Sequence, residues 1–70
     1  MSLSMVSLGE TKIIKELIGK DSVKKHLQSL GFIPGERVEI LCENSGGIIL
    51  LIKNTKIAIN KSMANKIIVE

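Results

Sequence analysis

The most constraining feature of the sequence is a helix-to-strand joint, Leu27–Ile40, which reads Leu-Gln-Ser-Leu-Gly-Phe-Ile-Pro-Gly-Glu-Arg-Val-Glu-Ile. Leu27 and Leu30 continue an apolar stripe that begins at Val23, and this spacing places all three side chains on one face of a helix. Gly31 follows at the position where helices often take a left-handed residue, which glycine adopts without steric cost. The helix is therefore predicted to end before Gly31, with a positive φ at that residue.

The second half of the joint predicts a tight turn and then a strand. Pro34 fixes its own φ, so Pro34 and Gly35 suit the two central positions of a type II turn, which requires a positive φ at Gly35. From Arg37 onwards apolar and charged residues alternate, a pattern typical of a half-buried strand. The side chains expected to point inward from this strand are Val38, Ile40 and Cys42.

The rest of the chain predicts short strands joined by tight turns, with one helix inserted early. This helix is expected to begin with Asp21 or Ser22 as its N-cap and to run to Leu30. The segment 44–47 predicts a flexible hairpin connection, and the segment 54–55 predicts a two-residue hairpin loop. The expected strands are residues 6–8, 12–18, 38–43, 48–52, 56–60 and 66–69, with one short helical turn between the last two.

Five or six short strands in so short a chain indicate the fold class, which is all-β with short inserted helices. We expect a small, strongly bent sheet that closes on itself, since closure removes the exposed edges that an apolar sheet otherwise offers to aggregation. An SH3-like barrel is the natural choice for such a sheet. The predicted core consists of Val23, Leu27, Leu30, Val38, Ile40, Leu50, Ile52, Ile57, Ile59 and Ile67.

Length and composition predict a single small domain. The chain has 70 residues, of which 44% are hydrophobic and only one is aromatic, so its core must consist mainly of Ile, Leu and Val. Residues 1–4 are interpreted as an expression remnant or a frayed start, and residues 5–70 as the domain. No apolar run approaches the roughly 20 residues that cross a bilayer, and no secretory signal is visible. We therefore expect a cytoplasmic location and no membrane insertion.

The chemically active side chains are too few to predict an enzyme. The chain has one His and one Cys, and the two ligands that they offer, His26 and Cys42, do not complete a closed zinc site. Glu36, Glu39 and Glu43 alternate along one strand and are explained as its solvated face. No catalytic residue and no cofactor are predicted. His26 and Cys42 are weak candidate metal ligands, and the three glutamates could supply oxygen ligands to a hard cation only with help from elsewhere.

The joint and its flanks resemble the FeoA family, the small ferrous iron transport protein A. The central signature is Leu-x-x-Leu-Gly-Phe-Ile-Pro-Gly-x-x-Val-Glu-Ile, and the resemblance extends from about residue 5 to residue 69. It also implies an SH3-like fold. The flanking matches are Leu8-Gly9-Glu10 on one side and, on the other, Ile57-Ala58-Ile59 followed by Ala64, Ile67 and Val69.

The resemblance implies a function in bacterial ferrous iron uptake. Family members are cytosolic accessory proteins, so a non-catalytic docking or regulatory module for the FeoB-type membrane permease, acting on its cytosolic domain, is expected. One alternative is a transition-metal-ion-binding domain like the C-terminal SH3-like part of iron-dependent repressors. A second alternative is a small nucleic-acid-binding barrel, although the chain has only one aromatic side chain for base stacking, and no nucleic-acid partner is expected.

A docking surface is expected where apolar side chains exceed what one small interior can hold. The run 48–52 is apolar on both faces, so Ile49 and Leu51 point away from the side that its alternate residues cover. Unless the helix shields them, they join Leu41 in an exposed patch that suits a partner or a second copy of the chain. Phe32 is either a core plug or an exposed anchor beside the turn.

Overall fold

The computed structural model describes residues 1–70 and contains five strands and two helices. The strands form one antiparallel sheet in the order β4-β3-β2-β1-β5. The predicted all-β class with short inserted helices is therefore confirmed. The elements are β1 (Thr11–Leu17), α1 (Asp21–Ser29), β2 (Arg37–Asn44), β3 (Gly47–Ile52), β4 (Thr55–Ile59), α2 (Lys61–Ala64) and β5 (Ile67–Val69), preceded by a 3₁₀ turn, Leu3–Met5.

The sheet wraps into a small barrel because β1 belongs to two ladders. Its first half pairs with β2, its second half pairs with β5, and the register shifts between Ile14 and Glu16. Such an irregularity bends a strand and increases its twist. β4 and β5 end up at opposite ends of the strand order and do not pair. The expectation that strand pairing closes the sheet completely, leaving no edge, is thus wrong.

The helix-to-strand joint folds as predicted. Gly31 and Gly35 have φ values of 105° and 96°, and the Glu36 N–H donates to the Ile33 carbonyl at 3.0 Å, which closes the turn around Pro34. The start of α1 differs from the prediction, because Lys20 occupies the N-cap position and makes no side-chain cap. Asp21 therefore lies in the first turn of the helix, where its negative charge interacts favourably with the helix dipole.

The interior of the barrel is a single apolar cluster of 15 buried side chains. Seven of the ten predicted core residues belong to it, and the other three, Val23, Leu30 and Ile57, are partly buried and pack against it. No polar or charged side chain is buried. The buried residues outside the predicted set are Leu3, Val6, Ile14, Leu17, Phe32, Ile48, Ala64 and Val69.

The N-terminal segment is part of the fold. Leu3 is completely buried, and the backbone of Met1 exchanges two hydrogen bonds with Val69, at 2.7 and 3.1 Å. Ser2 continues this contact through a bridge to Ile68. The expectation that residues 1–4 are frayed and lie outside the fold is therefore wrong. The predicted strand at residues 6–8 is also absent, and β1 begins only at Thr11.

Both hairpin loops differ from the prediction: the β2–β3 loop is residues 45–46 and is shorter than predicted, and the β3–β4 loop is residues 53–54 and is shifted by one residue. In the β2–β3 loop, the Asn44 side chain accepts hydrogen bonds from the Gly46 and Gly47 N–H groups at 2.8 and 3.0 Å. The β3–β4 loop consists of Lys53 and Asn54, both with positive φ, as in a type I′ turn. None of the helices is long and apolar enough to cross a membrane.

Candidate functional site

A bulge in β2 decides which side chains reach the outer face of the sheet. Ile40 pairs with Leu50, but Cys42 pairs with Ile49, so β2 contains one extra residue at this point. Leu41 and Cys42 then both lie opposite Ile49, as in a β-bulge. The prediction that Cys42 points inward with Ile40 is wrong: Cys42 is exposed, because the bulge interrupts the alternation on which that prediction depended.

Four apolar residues on three neighbouring strands form a continuous outer patch. The patch consists of Leu41, Ile49, Leu51 and Ala58. Ala58 is the cross-strand partner of Ile49, and Leu51 lies two residues along β3 on the same face. Leu41, Ile49 and Leu51 are half-buried, and Ala58 is exposed. Helix α1 does not bury them, so these side chains stay accessible in the single chain.

Charged residues border the outer patch on both sides. Leu51 pairs with Glu39 on β2 and with Lys56 on β4. Beyond Glu39 the surface forms a shallow groove of about 770 Å³ that reaches across β1 to the end of the β3–β4 loop. The groove is crossed by an exposed ion pair between Lys53 and Glu36, with Nζ and Oε1 3.6 Å apart. Such pairs contribute little to stability, and they leave the border of the patch polar.

Phe32 does not belong to this surface. Its side chain is completely buried, and its N–H donates to the Leu27 carbonyl at the end of α1, at 3.1 Å. Of the two predicted roles, the core plug is therefore correct. Phe32 offers no surface to a partner.

The two candidate metal ligands lie on different elements, and both are exposed. His26 is on α1 and Cys42 is on the bulged part of β2. No group of three or more His, Cys, Asp or Glu residues in the chain is arranged to hold a metal ion. The interior is entirely apolar, so polar chemistry is confined to the surface, and the outer patch with its charged border is the most distinctive feature there.

One residue of functional interest escaped the sequence analysis, because its importance depends on a close backbone contact. Gly47 is buried at the start of β3, and a Cβ atom at this position would lie 2.3 Å from the Ile59 carbonyl oxygen. Only glycine allows the end of β4 to lie so close to β3. The Gly-Gly pair in the sequence predicts a flexible loop, whereas Gly47 is a strand residue with a packing role.

Comparison with known proteins gives a consistent family and fold. A family model of the FeoA domain matches residues 1–70. The comparison with curated proteins found no match. Among solved structures, the crystal structure of an iron uptake regulatory protein, FeoA, is 29% identical, with a TM-score of 0.90, and the alignment covers 99% of this chain and 92% of that one.

Two further solved structures have the same fold. The iron(II) transport protein A of Clostridium thermocellum is 33% identical, with a TM-score of 0.93, over 100% of this chain and 44% of that one. The FeoA of Stenotrophomonas maltophilia, a procaryotic SH3 domain protein crystallised with zinc, is 22% identical, with a TM-score of 0.88, over 100% of this chain and 89% of that one. The last likeness concerns the fold alone, and it confirms the SH3-like barrel. Since the FeoA domain model matches residues 1–70, this chain belongs to the FeoA domain family.

Proposed function

We propose that this protein is a non-catalytic accessory of ferrous iron uptake, which works in the cytoplasm by docking onto the cytosolic domain of an FeoB-type permease. Family membership supports the process, as does the likeness to an iron uptake regulatory protein and to an iron(II) transport protein A. The outer patch supports docking as the mode of action. The apolar interior holds no buried polar side chain, which is consistent with a non-catalytic role.

The outer patch is the main observation in support of this proposal. Its half-buried side chains, Leu41, Ile49 and Leu51, remain accessible although 15 other residues already make a complete core. Apolar groups that are contiguous and rimmed by polar residues mark interaction surfaces. Glu39 and Lys56 provide such a rim on either side of Leu51, so the patch has the apolar centre and charged border of a protein interface.

Charge substitutions within the patch test the proposal. Leu51→Glu and Leu41→Glu should each weaken binding to the isolated cytosolic domain of the permease about 30-fold or more, the loss typical of a central interface residue. Isothermal titration calorimetry measures this directly. The matched control is Leu8→Glu, which introduces the same charge at an apolar residue that is 63% exposed and lies outside the patch.

The fold of each variant decides what a loss of binding means. We expect thermal midpoints within about 4 °C of the parent chain, since these side chains are only half-buried. Equal weakening by Leu8→Glu would show that added negative charge, and not the patch, lowers the affinity. Unfolding of Leu41→Glu and Leu51→Glu would show that both residues belong to the core, and it would contradict docking at this surface.

A further inference from the structure

The backbone of β4 presents a free hydrogen-bonding edge. Its two-residue loop makes Ile52 and Thr55 the pair that closes the hairpin, and in such hairpins the closing pair is hydrogen-bonded. Alternate residues of β4 then face β3, which leaves the N–H and C=O groups of Lys56 and Ala58 on the opposite side. β4 is the last strand of the sheet, and neither amide donates to a turn, loop or side chain elsewhere in the protein.

This edge is well suited to pair with another strand. The β3–β4 ladder runs without a register shift from Ile48 to Ile52, and β4 contains no proline. Bulges and prolines are the usual devices that prevent edge-to-edge pairing, and only a single lysine, Lys56, takes their place here. The opposite edge of the sheet, at β5, is covered by Met1 and Ser2, so β4 is the edge that an added strand can reach.

The surroundings of the edge offer contacts for side chains as well. Ala58 belongs to the outer patch, so an added strand would extend that patch by one row. At the end of β4 lies a groove of about 340 Å³, lined by Ile49, Ala58, Ile59 and Gly47 among others. Alternate side chains of an added strand thus have an apolar surface and a groove on which to pack.

The charges near the edge of β4 favour an acidic strand over a basic one. No Asp or Glu occurs between Asn44 and Val69, whereas this half of the chain carries four lysines. The acidic residue nearest to the edge on the outer face, Glu39, lies on β2 opposite Leu51, two strands or about 10 Å away. Of these lysines, Lys56 lies on β4 itself and Lys53 lies in the preceding loop, where it pairs with Glu36, whereas Lys66 lies against Gly19, away from this edge. A second copy would bring an equally positive edge to this one, whereas an acidic strand is attracted.

We propose that the free edge of β4 binds an extended acidic segment of a partner protein by strand addition. This inference rests on the proposed docking function and specifies the form of the segment that docks. Main-chain hydrogen bonds to Lys56 and Ala58 supply affinity, the outer patch and the groove receive alternate side chains, and the exposed Lys56 favours negative charge.

A synthetic peptide tests strand addition in isolation. The probe has about seven residues, with valine and glutamate taking turns at every second position and threonine between them, so that both can face the outer patch and Lys56; this length spans the five residues of β4. Its control has lysine in place of glutamate. Titration followed by NMR should show binding of the acidic peptide only, centred on β4. Binding of both peptides alike, or of neither, overturns the inference.

N-methylation of the peptide separates main-chain pairing from simple charge attraction. Two versions carry methyl groups on the odd or on the even amides, and in a paired strand only one of these sets faces β4. One version should lose about tenfold or more in affinity and the other should bind like the parent, because each unmade hydrogen bond is costly. Equal behaviour of the two versions contradicts strand addition.

Two variants of the protein complete the test. Lys56→Glu should weaken binding of the acidic peptide about fivefold, whereas Lys25→Glu, the same charge change on α1, should leave it unchanged. Ala58→Pro removes one edge-facing N–H and should abolish peptide binding while the fold remains. Dimers in gel filtration that Ala58→Pro dissociates would show that a second copy occupies the edge, and they would overturn the proposal.

Parallel titrations with the permease domain keep the two proposals distinguishable. If Leu51→Glu abolishes binding of the domain but Ala58→Pro does not, docking is supported and strand addition is wrong. If the domain does not bind at all, but the acidic peptide binds with the expected dependence on N-methylation, the edge site is supported and the choice of permease as partner is wrong.

Discussion

The two edges of the sheet are treated in opposite ways. At β5, Met1 and Ser2 lie alongside the strand, form backbone hydrogen bonds with Val69, and bring Leu3 into the core. At β4 nothing lies beyond Lys56 and Ala58, and the neighbouring apolar patch stays half-exposed. The same chain therefore protects one edge with its own backbone and leaves the other unpaired.

This difference between the edges separates a part of the sheet that stabilises the fold from a part that stays accessible to a partner. A covered edge adds buried area and hydrogen bonds, both of which stabilise a domain too small to have a large core. A free edge contributes neither in the single chain, and it exposes the protein to unwanted pairing. Such an edge is retained at a cost, and binding of a partner strand would explain its retention.

The largest effect is expected at the covered edge. Leu3→Ala should lower the free energy of unfolding by about 2–5 kcal/mol, because Leu3 is completely buried and the smaller side chain leaves a cavity. Urea denaturation measures the loss, and Leu8→Ala, at a residue that is 63% exposed, is the control with an expected change within about 0.5 kcal/mol. Equal stability of the two variants would mean that the N-terminal segment does not cover β5 in solution.

An intermediate effect is expected where β4 is attached to β3. Gly47→Ala should destabilise the protein by about 1–3 kcal/mol, since the added Cβ would lie 2.3 Å from the Ile59 carbonyl oxygen and the two strands would have to move apart. Gly46→Ala is the matched control, because its Cβ would meet only the Asn44 side chain at 3.4 Å. The comparison is made by thermal unfolding, and equal losses at the two glycines would show that the close approach of β4 is incorrect.

The smallest effect is expected at residues that lie on neither edge. His26→Ala and Cys42→Ser should each change the free energy of unfolding by no more than about 0.5 kcal/mol, because both side chains are exposed and neither makes a side-chain hydrogen bond. Metal analysis after gel filtration completes the measurement. Stoichiometric metal in the parent chain that either substitution removes would contradict this expectation and identify a metal site.

The parts of the fold that the sequence predicted correctly are those fixed by local chemistry. The joint at Gly31 and Pro34-Gly35 was predicted because a helix end and a type II turn each require particular residues at particular positions. The apolar alternation of β3 likewise predicted that Ile49 and Leu51 face away from the core. Each of these features depends on a few neighbouring residues, and distant contacts do not alter it.

The features that the sequence did not predict depend on contacts between distant segments. Leu3 stands in a short stretch without periodicity, and its burial follows from the position of β5, more than sixty residues later. Cys42 was assigned to the wrong face because a single extra residue at Leu41 reverses the alternation. Which strand stays at an edge is set by the strand order of the whole sheet, so the free edge of β4 was not visible in the pattern of residues 55–59.

Amide hydrogen exchange at single residues tests the contrast between the two edges most directly. In the free protein we expect fast exchange at Lys56 and Ala58, whose N–H groups face solvent, and slow exchange at Ile57 and at Val69, whose N–H groups are hydrogen-bonded. Addition of the permease domain or of the acidic peptide should slow exchange at Lys56 and Ala58 and leave Val69 unchanged. Protection of Lys56 and Ala58 in the free monomer, or fast exchange there in the saturated complex, would contradict a free edge that takes up a partner strand.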